Sequence, residues 1–168
     1  MATLLSEAAP VTTLEQRLAA AFGAIDFTSA RFPFAATTYY LNEMGAPLTR
    51  VFYSFARLIS PEDLAAVKLH AHELESEFAL RGNRTINLDP GYLDTDKFVL
   101  ASTKYHGYKI YLRDGIWADM TLHYEKGRFL AMPWSFPDFK NGAYEKTFVI
   151  IRECYKRQLK PVASPIAS

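Results

Sequence analysis

Apolar residues recur at helical spacing in three parts of the chain. The first helix is predicted to begin at Thr12, because Thr12 and Glu15 have the spacing of a capping box and apolar residues then recur on one face. A second helix is predicted to follow residues 60–63, Ser-Pro-Glu-Asp, which supply an N-cap, a proline at the first helical position and two acids. A third is predicted to be capped by Asn141 and to end in basic residues.

Alternating apolar and polar residues predict strands in the segments between these helices. Residues 25–34, 48–57 and 85–88 have this pattern. Residues 108–132 are predicted to form a β-meander. Residues 97–103 fit either a short helix or a strand, and the pattern does not decide between them.

The register of the meander follows from its side-chain pattern. A two-residue turn before Ile116 would mix apolar and polar residues on both faces, whereas a three-residue loop at 113–115, with its glycine left-handed, pairs Leu112 with Ile116 and Ile110 with Ala118. One face of the sheet is then apolar. The other carries Lys109, Tyr111, Trp117, Asp119, Thr121 and His123, with Lys109 directly opposite Asp119. A further turn at 126–127 continues these faces.

The element order is β-α-β-β-α-β, then a hairpin meander, then a helix. This order predicts an α+β fold, a single domain with a mainly antiparallel sheet and about three helices, whose first half fits a ferredoxin-like arrangement. We expect this domain to span residues 1–160. The Pro- and Ser-containing residues 161–168 are predicted to form a flexible C-terminal tail.

Composition narrows the class of protein and its partners. The 168 residues are 49% hydrophobic and 22% charged, which is typical of one globular domain. Nineteen basic residues against 18 acidic ones favour neither nucleic acid nor a membrane surface as the partner. The single cysteine, Cys154, excludes an internal disulfide and multi-cysteine metal motifs. With no signal peptide or apolar span in the sequence, the expected location is the cytoplasm.

Several strings, in order along nearly the whole chain, resemble an uncharacterised prokaryotic family known as domain of unknown function 4416. They include Phe22-Gly23-Ala24-Ile25-Asp26-Phe27, Phe32-Pro33-Phe34, Glu43-Met44-Gly45, Asn87-Leu88-Asp89-Pro90-Gly91-Tyr92-Leu93 and Pro133-Trp134-Ser135-Phe136-Pro137-Asp138-Phe139. The resemblance implies no established activity and transfers no catalytic residue. Where the family tends to have His-Arg and then Glu, this chain has Tyr108-Lys109 and then Asp119.

The polar face of the meander is the predicted site. Asp119 is the candidate acid/base or ligand-orienting carboxylate, because large rings and both charge types surround it, as in pockets for polar ligands. The other candidate ligand-binding residues are Lys104, Lys109 and Arg113 for an anionic group, Trp117 and Trp134 for stacking, and Tyr111, His123 and Asp89. The alternative for this face is an ordinary solvent-facing sheet. Asp89-Pro90-Gly91 is predicted to form a tight turn after the strand at 85–88, although Asp89 is also a candidate site residue.

Three classes of function remain open from the sequence. The first is a small-molecule-binding or enzymatic domain for a polar or anionic ligand at this aromatic-lined face. The second is a non-catalytic adaptor that presents the same face to a protein partner. The third and weaker class is nucleotide (GTP) or RNA binding, since some relatives are labelled GTP-binding although this chain has no P-loop string. No metal site is predicted, because His70 and His72 are two residues apart and face different directions on a helix, and the cofactor, like the ligand, stays unspecified.

Overall fold

The computed structural model describes residues 1–160, in which two antiparallel sheets pack with five α-helices. The helices are α1 (Val11–Phe22), α2 (Leu41–Met44), α3 (Leu64–Glu77), α4 (Pro137–Lys140) and α5 (Glu145–Gln158). The strands are β1 (Ala2–Leu5), β2 (Ile25–Thr28), β3 (Phe32–Phe34), β4 (Leu48–Phe55), β5 (Ile86–Asp89), β6 (Gly91–Leu93), β7 (Lys97–Ser102), β8 (Ile110–Arg113), β9 (Ile116–Glu125) and β10 (Arg128–Ala131). This is the α+β fold that the sequence predicts. The predicted tail, 161–168, lies outside the described residues.

The first sheet has the strand order β2-β4-β1-β5. Strand β3 pairs with the first residues of β4, which β2 leaves unpaired. Without β3 and α2, its elements follow β-α-β-β-α-β, so the ferredoxin-like first half is confirmed. Helices α1 and α3 cover one face, where Leu14, Leu18, Ala71 and Leu74 are buried against Val51 and other side chains of the sheet. The opposite face of this sheet is free to pack against the rest of the chain.

The second sheet has the order β10-β9-β7-β6, with β8 pairing with β9. Its strand β7 decides the segment 97–103, which the sequence left open, in favour of a strand. The two sheets share one aromatic core, in which Phe52 of the first sheet packs with Phe98 and Leu100 of the second. Phe139 of α4 and Phe148 of α5 complete this core. We call the space between the two sheets the intersheet layer.

The chain passes from the first sheet to the second at Pro90. Strand β5 ends at Asp89 and β6 begins at Gly91, while the Pro90 carbonyl accepts a hydrogen bond from the Ala101 N–H at 2.9 Å. The predicted tight turn at Asp89-Pro90-Gly91 is therefore wrong: this segment is an extended corner between two sheets. The residue types predicted a turn because proline and glycine are common both in tight turns and at such corners between strands.

Gly91 is required at this corner because the chain approaches β7 closely. A Cβ atom at Gly91 would lie 2.5 Å from the Val99 carbonyl oxygen and 2.9 Å from the Phe98 ring. We expect Gly91→Ala to lower the free energy of unfolding by about 2–3 kcal/mol, since backbone and core would both have to shift. Urea unfolding measures this, with Gly107→Ala as the control, because a Cβ there meets no atom within 4 Å. Equal stability of the two variants would contradict the close approach.

The hairpin between β8 and β9 differs from the predicted loop. Asp114 (φ 54°) and Gly115 (φ 75°) form a two-residue turn that places Arg113 opposite Ile116, so the predicted three-residue loop and the Leu112–Ile116 pair are wrong. The left-handed conformation of Gly115 is confirmed. A β-bulge at Leu112 then restores the predicted pairing of Ile110 with Ala118.

A second irregularity, in β9, changes the faces of the meander. Phe98 pairs with Leu122 and Val99 pairs with Met120, so Thr121 is an extra residue on β9. Leu122 therefore shares a face with Asp119, and His123 does not. The prediction that His123 lies on the Asp119 face is wrong for this reason. The next register is as predicted, with Tyr124 opposite Phe129.

The helix ends agree with the sequence only in part. Helix α1 begins at Val11 without a side-chain cap, and the Glu15 carboxylate accepts a hydrogen bond from the Tyr53 hydroxyl at 3.2 Å, so the predicted capping box does not form. Before α3, Ser60 caps a 3-10 turn at Pro61–Asp63 whose first residue is proline, as predicted, and the Ser60 N–H donates to the Asp63 carboxylate at 3.1 Å. Asn141 precedes α5 by one turn instead of capping it. Within residues 1–160 no helix is both long and apolar enough to cross a membrane.

Candidate functional site

One end of the intersheet layer is polar, and the first sheet supplies one of its walls. Arg50 lies opposite Leu4, which lies opposite Asn87, and Phe52 lies opposite Ala2, which lies opposite Asp89. Directly paired residues and alternate residues share a face of a sheet. Arg50, Asn87 and Asp89 therefore face the same layer as the aromatic core.

Arg50 is the central charge of this wall, and its side chain is only 5% exposed. Its Nη2 donates a hydrogen bond to Asp138 Oδ2 at 3.2 Å, and its Nη1 lies 3.8 Å from Asp89 Oδ2. The guanidinium carbon lies 4.9 Å from the centre of the Phe34 ring. Arg50 Nε and Nη1 are buried and have no hydrogen-bond partner within residues 1–160. Buried donors without partners are costly, so these two atoms lack the acceptors that such donors usually have.

Asp138 is held by a second partner as well as by Arg50. The Tyr144 hydroxyl donates to Asp138 Oδ2 at 3.2 Å. Burial, and then the nearby Asp138 charge, raise the pKa of Tyr144 to about 12. Tyr144 therefore stays protonated near neutral pH and keeps this donor in place.

Two buried charged residues of α3 contact the outer edge of β5. Lys68 donates to the Leu88 carbonyl at 2.8 Å and also lies 3.4 Å from Asp89 Oδ1, while Glu75 accepts the Leu88 N–H. Because β5 is the last strand of its sheet, these side chains satisfy backbone groups that no strand pairs. Burial raises the pKa of Glu75 above its usual value.

Arg84 connects this edge to the segment before β4. It donates to both oxygens of Glu43, at 2.7 and 2.8 Å, and to Asn87 Oδ1 at 3.0 Å. The hydrogen bond with Glu43 raises the pKa of Arg84 further. Nearby, burial and then the Asp89 charge raise the pKa of Tyr40, so its hydroxyl stays protonated.

The second sheet supplies the other wall through Lys109 and Asp119. Lys109 Nζ lies 3.2 Å from Asp119 Oδ2, with the side chains 5% and 7% exposed, and donates to Ser102 Oγ at 2.8 Å. The predicted opposite pair is thus present, but it is buried and not a solvent-facing pair. Asp119 Oδ1 is buried without a hydrogen-bond partner in the described part of the chain.

The two walls meet at the Pro90 corner. Gly91 lies opposite Leu100, and the Pro90 carbonyl accepts the Ala101 N–H, one residue before Ser102, the partner of Lys109. At the outer rim, Lys104 Nζ lies 4.0 Å from the centre of the Tyr39 ring and connects the loops of the two walls. We call the region bounded by Arg50, Asp89, Asp138, Lys109 and Asp119 the polar layer.

Comparison with known protein families gives one match. A family model described as a domain of unknown function (DUF4416) matches residues 1–155. The chain belongs to the DUF4416 family. Neither the curated proteins nor the solved structures contain a match to it.

Three of the strings by which this DUF4416 chain resembles its family meet in the polar layer or beside it. Glu43 comes from one string, Asn87 and Asp89 from another, and Asp138 from a third, and the three strings are far apart in the sequence. Arg84 joins the first two strings and Arg50 joins the last two. The fold thus brings separate strings to one place.

The other predicted site residues of the DUF4416 chain lie outside the polar layer or at its rim. Trp117 packs edge-to-face against Tyr111 and Tyr105, with ring centres 5.0 Å apart in both cases. Trp134 stacks on Tyr108 at 4.9 Å and donates to the Met120 carbonyl at 2.9 Å.

Two more predicted site residues lie away from this layer. Arg113 is exposed beside Asp114 at the hairpin turn. His123 Nε2 lies 3.7 Å from Glu125 Oε2. No group of three or more His, Cys, Asp or Glu side chains within residues 1–160 has an arrangement that would hold a metal ion.

Sequence reasoning missed Arg50, Lys68, Arg84 and Asp138. Arg50 alternates with the apolar Leu48 and Phe52 on one side of β4, so a charge among apolar residues was the available signal. Lys68 likewise lies four residues after the buried Leu64 on α3. A charged residue at an interior position requires a partner, and that partner could not be located from the sequence.

Proposed function

We propose that this DUF4416 protein binds a small polar ligand in the polar layer. The observation that supports this proposal is the pair of incomplete hydrogen-bonding groups on its two walls. Arg50 Nε and Nη1 are donors without an acceptor, and Asp119 Oδ1 is an acceptor without a donor, within residues 1–160. A ligand with a carboxylate, phosphate or carbonyl oxygen and a hydroxyl or amine group would satisfy both.

The local charge restricts the ligand further. The residues of the polar layer and the α3 and α2 side chains beside it supply four cations and five carboxylates, an excess of one negative charge. They are Arg50, Lys68, Arg84 and Lys109, and Glu43, Glu75, Asp89, Asp119 and Asp138. A neutral or singly charged ligand, such as a sugar or a hydroxy acid, therefore fits better than a polyphosphate.

Access to the layer would come through its rim. The contact of Lys104 with the Tyr39 ring is made by two exposed side chains. Such a contact is worth only about 0.5–1 kcal/mol at an exposed site, so it opens at little cost. Lys104 keeps its predicted role as a ligand-facing charge in this proposal, now at the entrance.

Thermal stabilisation by candidate ligands tests the proposal. We expect at least one of glycolate, glycerate or glucose to raise the melting temperature of the protein, because a ligand that binds only the folded state stabilises it. Arg50→Lys keeps the charge but loses the planar fork of donors, so the stabilisation should disappear. Arg128→Lys, the same change at an exposed arginine of β10, should keep it. A ligand that stabilises wild type and Arg50→Lys equally would place the binding elsewhere.

GTP is expected to bind no more tightly than about millimolar, or roughly −4 kcal/mol. The chain has no P-loop string, and the excess of carboxylates around Arg50 would repel a triphosphate. Isothermal titration calorimetry with GTP and Mg²⁺ measures this directly. Micromolar affinity would contradict the expectation and support the nucleotide alternative.

One observation favours the adaptor alternative. Tyr39, Tyr105, Tyr108 and Tyr111 are exposed large aromatic residues, and Tyr39 lies at the rim of the layer. Exposed aromatic side chains are enriched at protein interfaces. Tyr111→Ala would then reduce binding to a protein partner and leave the ligand response of the polar layer unchanged.

A further inference from the structure

A cavity of about 490 Å³ is lined by residues of both sheets, and none of the five residues that bound the polar layer lines it. It is bounded by β4 of the first sheet, β6 of the second, and helices α3 and α5. Its volume is within the range of small-molecule sites, about 300–1,000 Å³. The cavity therefore has room for an organic ligand and not only for solvent.

The wall of this cavity is largely apolar. Phe22, Phe55, Val67, Leu93 and Ile151 line it, and they come from five different elements or connections. Val67 and Ile151 are only partly buried, which leaves apolar surface on α3 and α5 for a ligand to cover. Burying such surface favours binding by about 25 cal/mol per Å².

The charged residues of the lining are mostly acidic. They are Asp26, Asp63 and Asp94 against Arg57, while His70 and the Met1 amino group, whose pKa burial lowers to about 5, also line the cavity. Lys97 forms an ion pair with Asp94 and neutralises its charge. The carboxylates of Asp26 and Asp63 then outnumber the single arginine of the lining, Arg57. Asp26 is held in place, since it accepts hydrogen bonds from Ser54 and from Gln158 at 2.7 Å. A fixed carboxylate at the edge of an apolar cavity favours a ligand with a cationic end.

We propose that this cavity is a second binding site, which takes a molecule with an apolar, ring-sized body and an amine end. The apolar body would lie between α3 and α5, and the amine would donate to Asp26. The inference does not depend on the polar layer, because the residues that carry it are different.

Two probes with the same body and opposite charge test the ligand class. We expect phenylbutylamine to bind saturably by calorimetry and phenylbutyrate to bind about tenfold more weakly or not at all. Asp26→Asn should reduce the affinity for the amine to that for the carboxylate. Absence of saturable binding of the amine up to about 10 mM, or equal affinity for both probes, would overturn the proposal.

Neighbouring residues of α5 provide a matched test of the location. Ile151 lines the cavity, whereas Ile150 is exposed and does not line it. Ile151→Phe should fill the space and weaken amine binding about tenfold, while Ile150→Phe should leave it within about twofold. Equal effects of the two changes would show that the amine binds elsewhere. Arg50→Lys should bind the amine as wild type does, which separates this site from the polar layer.

The single cysteine gives a readout that needs no substitution. Cys154 lines the same cavity and is the only thiol of the chain. Bound phenylbutylamine should slow the reaction of this thiol with Ellman's reagent, and the protection should saturate at the calorimetric affinity. Unchanged thiol reactivity at a saturating amine concentration would overturn the proposal even if Ile151→Phe failed to fold.

Discussion

Replacing Asp119 with asparagine is expected to lower the free energy of unfolding by about 3 kcal/mol. Lys109 and Asp119 are both buried, with their charged atoms 3.2 Å apart, so the substitution leaves an ammonium group in the interior without its counter-ion. The expected loss is at the low end of the range for a broken buried pair because Ser102 still accepts a hydrogen bond from Lys109. Urea unfolding followed by far-UV circular dichroism measures the change.

An exposed ion pair of the same protein provides the control. Arg17 and Glu77 are 2.7 Å apart, but their side chains are 47% and 45% exposed. Glu77→Gln should therefore change stability far less than Asp119→Asn does. The double variant Lys109→Met, Asp119→Leu should lose less than the sum of its single changes, since no unpaired charge remains. If Asp119→Asn cost no more than Glu77→Gln, the pair would have to be hydrated.

Replacing Arg50 with methionine is expected to cost about 3–5 kcal/mol. The change keeps much of the side-chain volume but removes the only cation within 4 Å of Asp138 in the described residues. Tyr144 continues to donate to Asp138, yet a neutral hydroxyl compensates a buried carboxylate only in part. The measurement is again equilibrium unfolding, with the folded state checked by near-UV circular dichroism.

A second substitution separates charge from packing in this result. Adding Asp138→Asn to Arg50→Met removes the unpaired carboxylate and should restore about 1–2 kcal/mol. A double variant less stable than Arg50→Met would contradict this expectation. It would mean that the packing of the guanidinium between Phe34 and Phe139 contributes more to stability than its charge does.

The features that were predictable from the sequence are those fixed by neighbours along the chain. The strand and helix order, the left-handed Gly115 and the opposite placement of Lys109 and Asp119 all follow from local periodicity. The placement of Lys109 opposite Asp119 was right although the predicted three-residue loop was wrong, because the bulge at Leu112 compensates for the shorter turn. A β-bulge leaves no clear trace in a hydrophobic pattern, which is also why His123 was placed on the wrong face.

The polar layer could not be assembled from the sequence because its contacts are distant. Arg50 and Asp138 are separated by 88 residues, and each lies in a segment that reads as apolar. Their pairing depends on two sheets packing face to face, and no local pattern encodes that arrangement. Asp89 was singled out, but its neighbours were not, since turn chemistry suggested an exposed loop where the chain forms a buried corner.

The side chains of α3 that contact β5 have a consequence for solubility. An uncovered outer strand can pair with the strand of another molecule and start aggregation. Lys68 and Glu75 occupy the backbone groups of Leu88 that such a strand would need. Loss of α3 from the sheet would therefore expose a template for intermolecular β-pairing along with apolar surface. Helix α3 therefore protects this edge of the sheet from pairing with another molecule.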